Sequence, residues 1–295
     1  MTEARIQAVG DYYSLEAAEP LTDLKPLAKQ VTGQAVRRIG RFIQLALIGA
    51  GRCVAGRTLP PETAVYFTTG SGDFEVTVEV MEHLFRDGFP PKPLSFINTV
   101  SNAACFYVAK QLGLSGRSSC LGNRVFGFET ALHLALLDLR MGTVSSALVG
   151  SADIVLTPLA VHRRRLKQPL DAPIAEAAHW LWLSGDPAAG RGIGALPAVA
   201  LLPDRQALLA WIAAQDLDPA GTVLAAGASI DPADFEALRA ETGLSEVFDY
   251  RSGRAYYDSQ AGAAISAFLN NGTASVLLHL NSDPDGRYAV ILARR

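Results

Sequence analysis

The segment "RSSCLGNRVFGFETALHLALLDLRMG", residues 117–142, constrains this chain most. It reads as a strand, a tight turn and a buried helix, and "SSALVGSADIV" after it reads as another buried strand. Strands and helices that alternate while staying apolar must stack in layers to hide both faces. The alternation starts upstream. "TAVYFTTGSGD" is a buried strand over 64–67 that runs into a Gly/Ser turn at 70–72. "DFEVTVEVMEHLFRDG" (73–88) is a helix with Asp73 as N-cap and Gly88 as its stop. Before these, "RIQAVG" forms a short strand stopped by Gly10, and 14–33 is polar and irregular. Residues 34–56 are helical, with Arg37, Arg38 and Arg41 clustered at one end. After the loop "FPPKP" and the stretch "LSFINTVSN" comes a helix over 103–114. The charged, proline-broken stretch 161–173 marks a crossing between two halves, 1–165 and 166–295. The second half repeats the style, with strands near 196–202, 222–226 and 287–292 and helices near 204–215, 232–240 and 258–270. The expected class is α/β.

With 295 residues, 49% hydrophobic and 19% charged, the chain has enough apolar material for a well-buried core. A net charge of −3 gives no general attraction for nucleic acid or an anionic membrane. The start "MTEARIQAVGDYY" lacks a signal peptide's apolar core, and the longest membrane-like run, "FIQLALIGAG", is too short to span. Cys53, Cys105 and Cys120 are too few and scattered for a disulfide framework, which points to a reducing cytoplasm. His83, His133, His162, His179 and His279 show no ligand spacing, so neither a metal nor a cofactor is expected.

Few motifs carry chemistry on their own. "GRGIGAL" (190–196) has a glycine-rich string but neither the strand nor the helix of a dinucleotide loop, and reads as a flexible loop. "TTGSGD" (68–73) has no lysine for a phosphate and reads as a tight turn. His133 with Glu129 at i−4 reads as a satisfied pair, and no GxSxG elbow is present. Cys120 is the remaining nucleophile candidate, yet it lies within the strand, five residues before the turn that would activate it. A small buried residue is the simpler reading of Cys120, and Cys53 and Cys105 read as core.

Residues 37–155 resemble the N-terminal half of β-ketoacyl synthases, members of the thiolase-fold condensing enzymes. The blocks that carry the resemblance are "RRIGRFIQLALIGAG", "VYFTTGSGD", "SFINTVSNAACFYVAKQLGLSGRSS" and "LRMGTVSSALVGSAD", taken in order and spacing. The resemblance implies a thiolase-like fold: two similar α/β halves in a layered αβαβα arrangement, the second reduced in size. Counted forward from Ser101-Asn102, or backward from Gly142, the family's catalytic cysteine falls on Val125. Valine has no heteroatom to acylate. The family's two histidines would fall in "AAGASIDPAD" (225–234) and "RAYYDSQAGAAIS" (254–266), and neither contains one. Tyr256 stands roughly in the second histidine's place, and the Gly/Phe-rich gating turn is replaced by Asp-Pro-Asp-Gly.

The resemblance therefore implies a catalytically silent subunit of the chain-length-factor kind. Such a subunit pairs as a heterodimer with an active ketosynthase and shapes its acyl tunnel, the chain riding on an acyl carrier protein. Leu94, Ser95, Phe96 and Thr99 would then reach across the subunit interface. Outside a dimer, the same segment would be an ordinary edge or core strand. Val125 and Phe126 would plug the dead pocket, with Arg124 holding the turn or an interface carboxylate. The style of the "FINTVSNAA" block resembles small proteins of aryl-polyene and other type II polyketide pathways. Two other readings stay open: acyl transfer or hydrolysis by Cys120, or by a set such as Glu129, Asp249 and Tyr256; and a free-standing homodimer that docks a carrier protein.

Overall fold

The computed structural model describes residues 3–16, 18–33 and 38–295. The first part of the chain forms β1 (Ala4–Glu16), α1 (Lys25–Thr32), α2 (Arg41–Cys53), β2 (Ala64–Thr69), α3 (Phe74–Phe85), α4 (Pro93–Asn98) and α5 (Ala103–Leu112). Then come β3 (Ser118–Gly122), α6 (Gly127–Arg140), β4 (Ser146–Asp153), α7 (Leu159–Arg165) and β5 (Ile174–Ser184). The rest is β6 (Gly194–Leu202), α8 (Arg205–Ala213), β7 (Thr222–Ala226), α9 (Pro232–Thr242), α10 (Ala261–Asn271), β8 (Val276–Ser282) and β9 (Tyr288–Arg294).

The strands run in the order β3-β2-β4-β5-β1-β6-β9-β8-β7. In the first group β2 is parallel to β3 and β4, while β5 is antiparallel to both β4 and β1. The second group repeats this pattern: β7 is parallel to β8, β8 antiparallel to β9, and β9 antiparallel to β6. A lone parallel bridge, Leu224 to Val247, sits on β7 where β3 sits on β2. The two groups meet only where the start of β1 pairs with the start of β6. These are two similar α/β halves, the second lacking a full fifth strand. By pairing, β5 belongs with the first group, although it lies beyond the 161–173 stretch.

Helices cover both groups. One core cluster joins α2 and α5 to β2, β4 and β5, and another joins α8 and α9 to β7, β8 and β9. A third holds α6 and α10 between strands of both groups, which completes the αβαβα stack. Cover on all sides explains why α2, lying between the strands and α1 and α5, and α10, in the middle layer, are apolar nearly all round: such a helix has no polar face.

Four local expectations change. β1 does not stop at Gly10, because α2 crosses the strand there: a Cβ at Gly10 would lie 2.1 Å from the Cys53 nitrogen. Only glycine allows that approach. Within 14–33 the structure places the end of β1 and all of α1. The segment holding Leu94 to Asn98 is not a strand but the short helix α4, started by Pro93, whose fixed φ suits a first helical turn. Residues 161–173 are mostly a helix end followed by a loop. Of the clustered arginines, Arg37 lies outside the described residues. Asp73 caps α3 as expected, accepting from the Val76 N–H at 3.5 Å, and Gly88 has a φ of +68°.

Candidate functional site

The turn from β3 into α6 is the geometric centre of interest. Phe126, the N-cap of α6, has φ 57° and ψ 24°, a left-handed conformation that costs a side-chain-bearing residue roughly 1–2 kcal/mol. The next residue, Gly127, is packed so closely on β2 that a Cβ would lie 2.7 Å from Thr68 Oγ1. A strained strand-to-helix turn that presents a side chain at a helix N-terminus is the geometry that activates nucleophiles. The left-handed residue itself is Phe126, and Val125, where the resemblance places the nucleophile, precedes it. The Val125 N–H donates to Asn123 Oδ1 at 3.2 Å, and its side chain is half-buried.

Beside this turn, four distant segments are tied by charge. Arg165 of α7 donates to Asp258 Oδ2 at 2.9 Å and to the Gly70 carbonyl at 3.0 Å. The Asp258 side chain is only 3% exposed. Glycine at 70 is required, since a Cβ there would lie 1.9 Å from Asp258 Oδ2. Asp153, at the end of β4, accepts from the Gly70 N–H and the Ser259 N–H, each at 2.9 Å. Burial, reinforced by the Asp258 charge, pushes the Asp153 carboxyl up to about 6. Arg124 reaches the Arg165 carbonyl at 3.3 Å and lies 3.7 Å from Asp258 Oδ1. These groups are committed to one another.

The model of the β-ketoacyl synthase N-terminal domain matches residues 7–170, more than half of the sequence. The chain belongs to the β-ketoacyl synthase family. No curated protein matches it. Among solved structures, the ishigamide ketosynthase/chain length factor superposes with a TM-score of 0.77 at 17% identity, covering 99% of each chain. The AntDE:AntF complex, a ketosynthase with its type II polyketide acyl-carrier protein, gives 0.75 at 12% identity over 100% of this chain and 99% of that one. A β-ketoacyl synthase from Burkholderia phymatum STM815 gives 0.73 at 13% identity over 100% of both. The thiolase-like fold is thereby shown.

In this family member the segments that the resemblance assigns to histidines do meet. Ala228 from one, and Arg254, Tyr256 and Gln260 from the other, line a cavity of about 350 Å³ together with Asp249 and Arg251. No histidine lines it. Tyr256 donates to Asp258 Oδ1 at 3.3 Å, and burial pushes its hydroxyl up to about 12. Asp249 accepts from the N–H groups of Arg251 and Ser252 in its own turn. Glu129, the third member of that set, is not there. It lies fully buried, pushed upward by burial, and accepts from Asn281 Nδ2 at 2.9 Å. The structure thus brings Asp249 and Tyr256 together but leaves Glu129 apart.

All five histidines are engaged elsewhere. His133 does not pair with Glu129. Because α6 runs between the two strand groups, Glu129 meets β8 while His133 reaches the Val199 carbonyl of β6 at 2.8 Å. His83 is within 2.8 Å of the Glu79 carbonyl, and His162 accepts from the Leu156 N–H at 3.2 Å. His179 bridges Asp11 at 2.7 Å and Tyr257 at 2.8 Å. His279 is buried 3.2 Å from the Tyr250 hydroxyl, and burial pulls it down to about 3.

Val125 and Phe126 line a second cavity, of about 380 Å³, with Thr130, Leu202, Asp283 and Tyr288. Asp283 belongs to the Asp-Pro-Asp-Gly turn, where Arg287 holds it at 2.7 Å. Cys120 is half-buried on β3, away from the α6 N-terminus. A hydrogen bond from Cys105 lowers its thiol, and the same contact, with burial, raises Cys105. Leu94, Ser95, Phe96 and Thr99 lie on or at the end of α4, and Leu94 and Ser95 line a cavity of about 640 Å³.

Sequence reasoning missed two features. The Asp153–Asp258–Arg165 knot joins residues more than ninety positions apart, and nothing local announces it. The outer surface of α3, α4 and α5 is also unusual. Of the twenty exposed large hydrophobic residues described, eleven lie between Phe74 and Phe106, including Met81, Phe85, Phe89, Phe96 and Phe106. The apolar run of "FEVTVEVMEHLF" was visible, but it reads equally as a core helix.

Proposed function

We propose that this chain is a non-catalytic, ketosynthase-like subunit of the chain-length-factor kind, paired with an active β-ketoacyl synthase whose acyl tunnel it shapes. The observation that carries the reading is the left-handed strand-to-helix turn at Phe126, at the head of α6, where the residues offered are Val125 and Phe126 and neither is a nucleophile.

The apolar face of α3, α4 and α5 supports a partner. Exposed apolar patches of this kind are rare on monomers and mark protein–protein contacts. The ishigamide ketosynthase/chain length factor and the AntDE ketosynthase with its acyl-carrier protein support the partner's identity by likeness of fold. In this reading Leu94, Ser95, Phe96 and Thr99 face the partner, and the growing chain arrives on an acyl carrier protein. A type II polyketide or aryl-polyene product follows the family resemblance, and the site of action is the cytoplasm.

The test is co-expression with an active type II β-ketoacyl synthase from the same organism, one subunit tagged, followed by native mass spectrometry after incubation with acylated carrier protein. A 1:1 complex with acyl mass only on the partner is the expected result. Acyl mass on this chain, lost on Cys120→Ala, would overturn the reading and make Cys120 the nucleophile. A stable homodimer that ignores the ketosynthase would instead favour a free-standing carrier-binding protein.

A further inference from the structure

The glycine string over 190–196 is not the flexible loop its sequence suggests. Gly190 has φ 82° and ψ −174°, a region that essentially only glycine enters. Gly192 has φ 68°, and a Cβ there would lie 2.4 Å from the Ile6 carbonyl oxygen. The same carbonyl accepts from the Ile193 N–H at 2.8 Å, so the loop is pinned on the start of β1. Arg5 holds its other end, Nη1 donating to the Gly190 carbonyl at 3.0 Å.

That fixed shape gathers cations. Arg5, Arg191 and Arg295 line a cavity of about 400 Å³ together with Glu3, Ile193 and the loop glycines. Glu3 is the one acidic residue of the lining, and it already lies 3.7 Å from Arg294. Arg191 and Arg295 are exposed, and the guanidinium of neither has a hydrogen bond or ion pair to a described residue. Among the described residues the N–H groups of Arg191 and Gly192 are also without a partner. Even with a terminal carboxylate at Arg295 counted, the guanidiniums of Arg5, Arg191, Arg294 and Arg295 outnumber the negative groups two to one.

Like charges gathered without counter-ions repel, and a loop that holds them in place pre-forms a site for a compensating anion. Guanidiniums and free backbone N–H groups are the donors that phosphate oxygens take best. A carboxylate would answer one guanidinium and leave two. A phosphate monoester brings a charge of about −1.5 to −2, and a second phosphoryl group supplies what the third guanidinium lacks. From this arrangement we infer that the cavity binds the diphosphate group of a small ligand, gripped by Arg5, Arg191 and Arg295. The site lies far from the α6 turn. β6 begins at Gly194 in this lining and ends at Leu201 and Leu202 in the lining around Val125, nine residues or about 30 Å away. Diphosphate binding there needs neither an acyl tunnel nor a partner subunit, and stands or falls apart from the silent-subunit reading.

The experiment is calorimetric titration of the full chain with inorganic pyrophosphate, inorganic phosphate and adenosine diphosphate, free of divalent metal and at about 0.15 M salt. Saturable 1:1 binding of pyrophosphate is expected, with phosphate about tenfold weaker. Arg191→Gln and Arg295→Gln should each weaken pyrophosphate binding about tenfold, the worth of a charge-assisted hydrogen bond. Arg164→Gln, which removes an exposed charge outside the lining, should leave it unchanged. Adenosine diphosphate tighter than pyrophosphate would mean that the group arrives on an organic carrier; equal or weaker binding would mean free inorganic diphosphate, and the inference holds in both cases. Because Arg191 is exposed, Arg191→Gln should keep the melting temperature of the free chain and lose only the rise that pyrophosphate gives the wild type. No saturation by pyrophosphate or adenosine diphosphate, phosphate binding as tightly as pyrophosphate, or Arg164→Gln weakening binding as much as Arg191→Gln would overturn the inference.

Discussion

Removing one ring from the apolar face should separate pairing from folding. Phe96 on α4 is 59% exposed, so its ring contributes little to the core of this chain. A phenylalanine side chain can bury roughly 150–250 Å², so about 120 Å² waits for a partner. At about 25 cal/mol/Å², covering that area is worth ~3 kcal/mol at most. Alanine keeps the Cβ, and ordering the ring on association offsets part of the gain. About 2 kcal/mol remains for Phe96→Ala, equivalent to a roughly 30-fold weaker Kd. Phe96→Asp adds the cost of burying a carboxylate and should abolish the complex at micromolar concentrations. The assay is titration of the purified ketosynthase with each variant, with thermal unfolding of the free chain as control. The melting temperature of each variant should stay within about 2 °C of wild type, because the changed surface is exposed. Val247→Ala, at the opposite end of the strand order, should leave Kd unchanged. If Phe96→Asp binds like wild type, the α4 face is not the pairing surface and the argument from exposed area fails.

Val125→Cys should place a thiol at the α6 N-terminus, where the helix end lowers thiol pKa. Alkylation there should outpace that of Cys120, yet no condensation should appear, because no histidine lines the neighbouring cavity; turnover would contradict this account. Asp258→Asn should destabilise the chain by about 3 kcal/mol, since it leaves Arg165 facing an uncharged group in a largely buried pair; a urea midpoint unchanged from wild type would show that the knot is dispensable. His162 carries a pH prediction. Burial, and then the nearby Arg165 charge, pull it from 6.5 to about 4, so its neutral form contributes stability in full above pH 6.5 and loses it as pH falls toward 4. Asp73 and Asp153, both raised to about 6, act oppositely as pH falls from about 6 toward 3.8, so the useful quantity is wild type minus His162→Asn at each pH. That difference should shrink between about pH 6.5 and 4, and a flat difference would place the acid sensitivity elsewhere.

What the sequence made legible follows from where each signal lives. The β2 turn, the Asp73 cap and the β3–α6–β4 run are local patterns, written in adjacent residues, and they stand where expected. Strand β5, "IAEAAHWLWLS", has no alternation to read because it is covered on both faces, and it follows a proline-broken stretch that hides its start. Strand β8 is obscured for the same reason. Gly10 misled because glycine marks either a stop or a close approach, and only the crossing of α2 decides which. The apolar helix α3 misled in the other direction. Its residues look like core, yet Val80 is its only buried member, since hydrophobicity records that a face is to be covered and not by which chain.

The candidate site divides along the same line. The proposed silence rests on one residue legible in the sequence, Val125, placed by a count along a short turn. The charge knot beside it was not legible, because it is assembled from Gly70, Asp153, Arg165 and Asp258, residues set apart along the chain. In the silent-subunit reading, that knot gives a physical reason for an absent nucleophile to stay absent. Asp258 is neutralised by Arg165 in a nearly dry site, so returning a nucleophile at position 125 restores neither the proton acceptor nor the space for one. Restoring activity would require exchanging the ion pair as well, and each single step toward that leaves a buried charge alone.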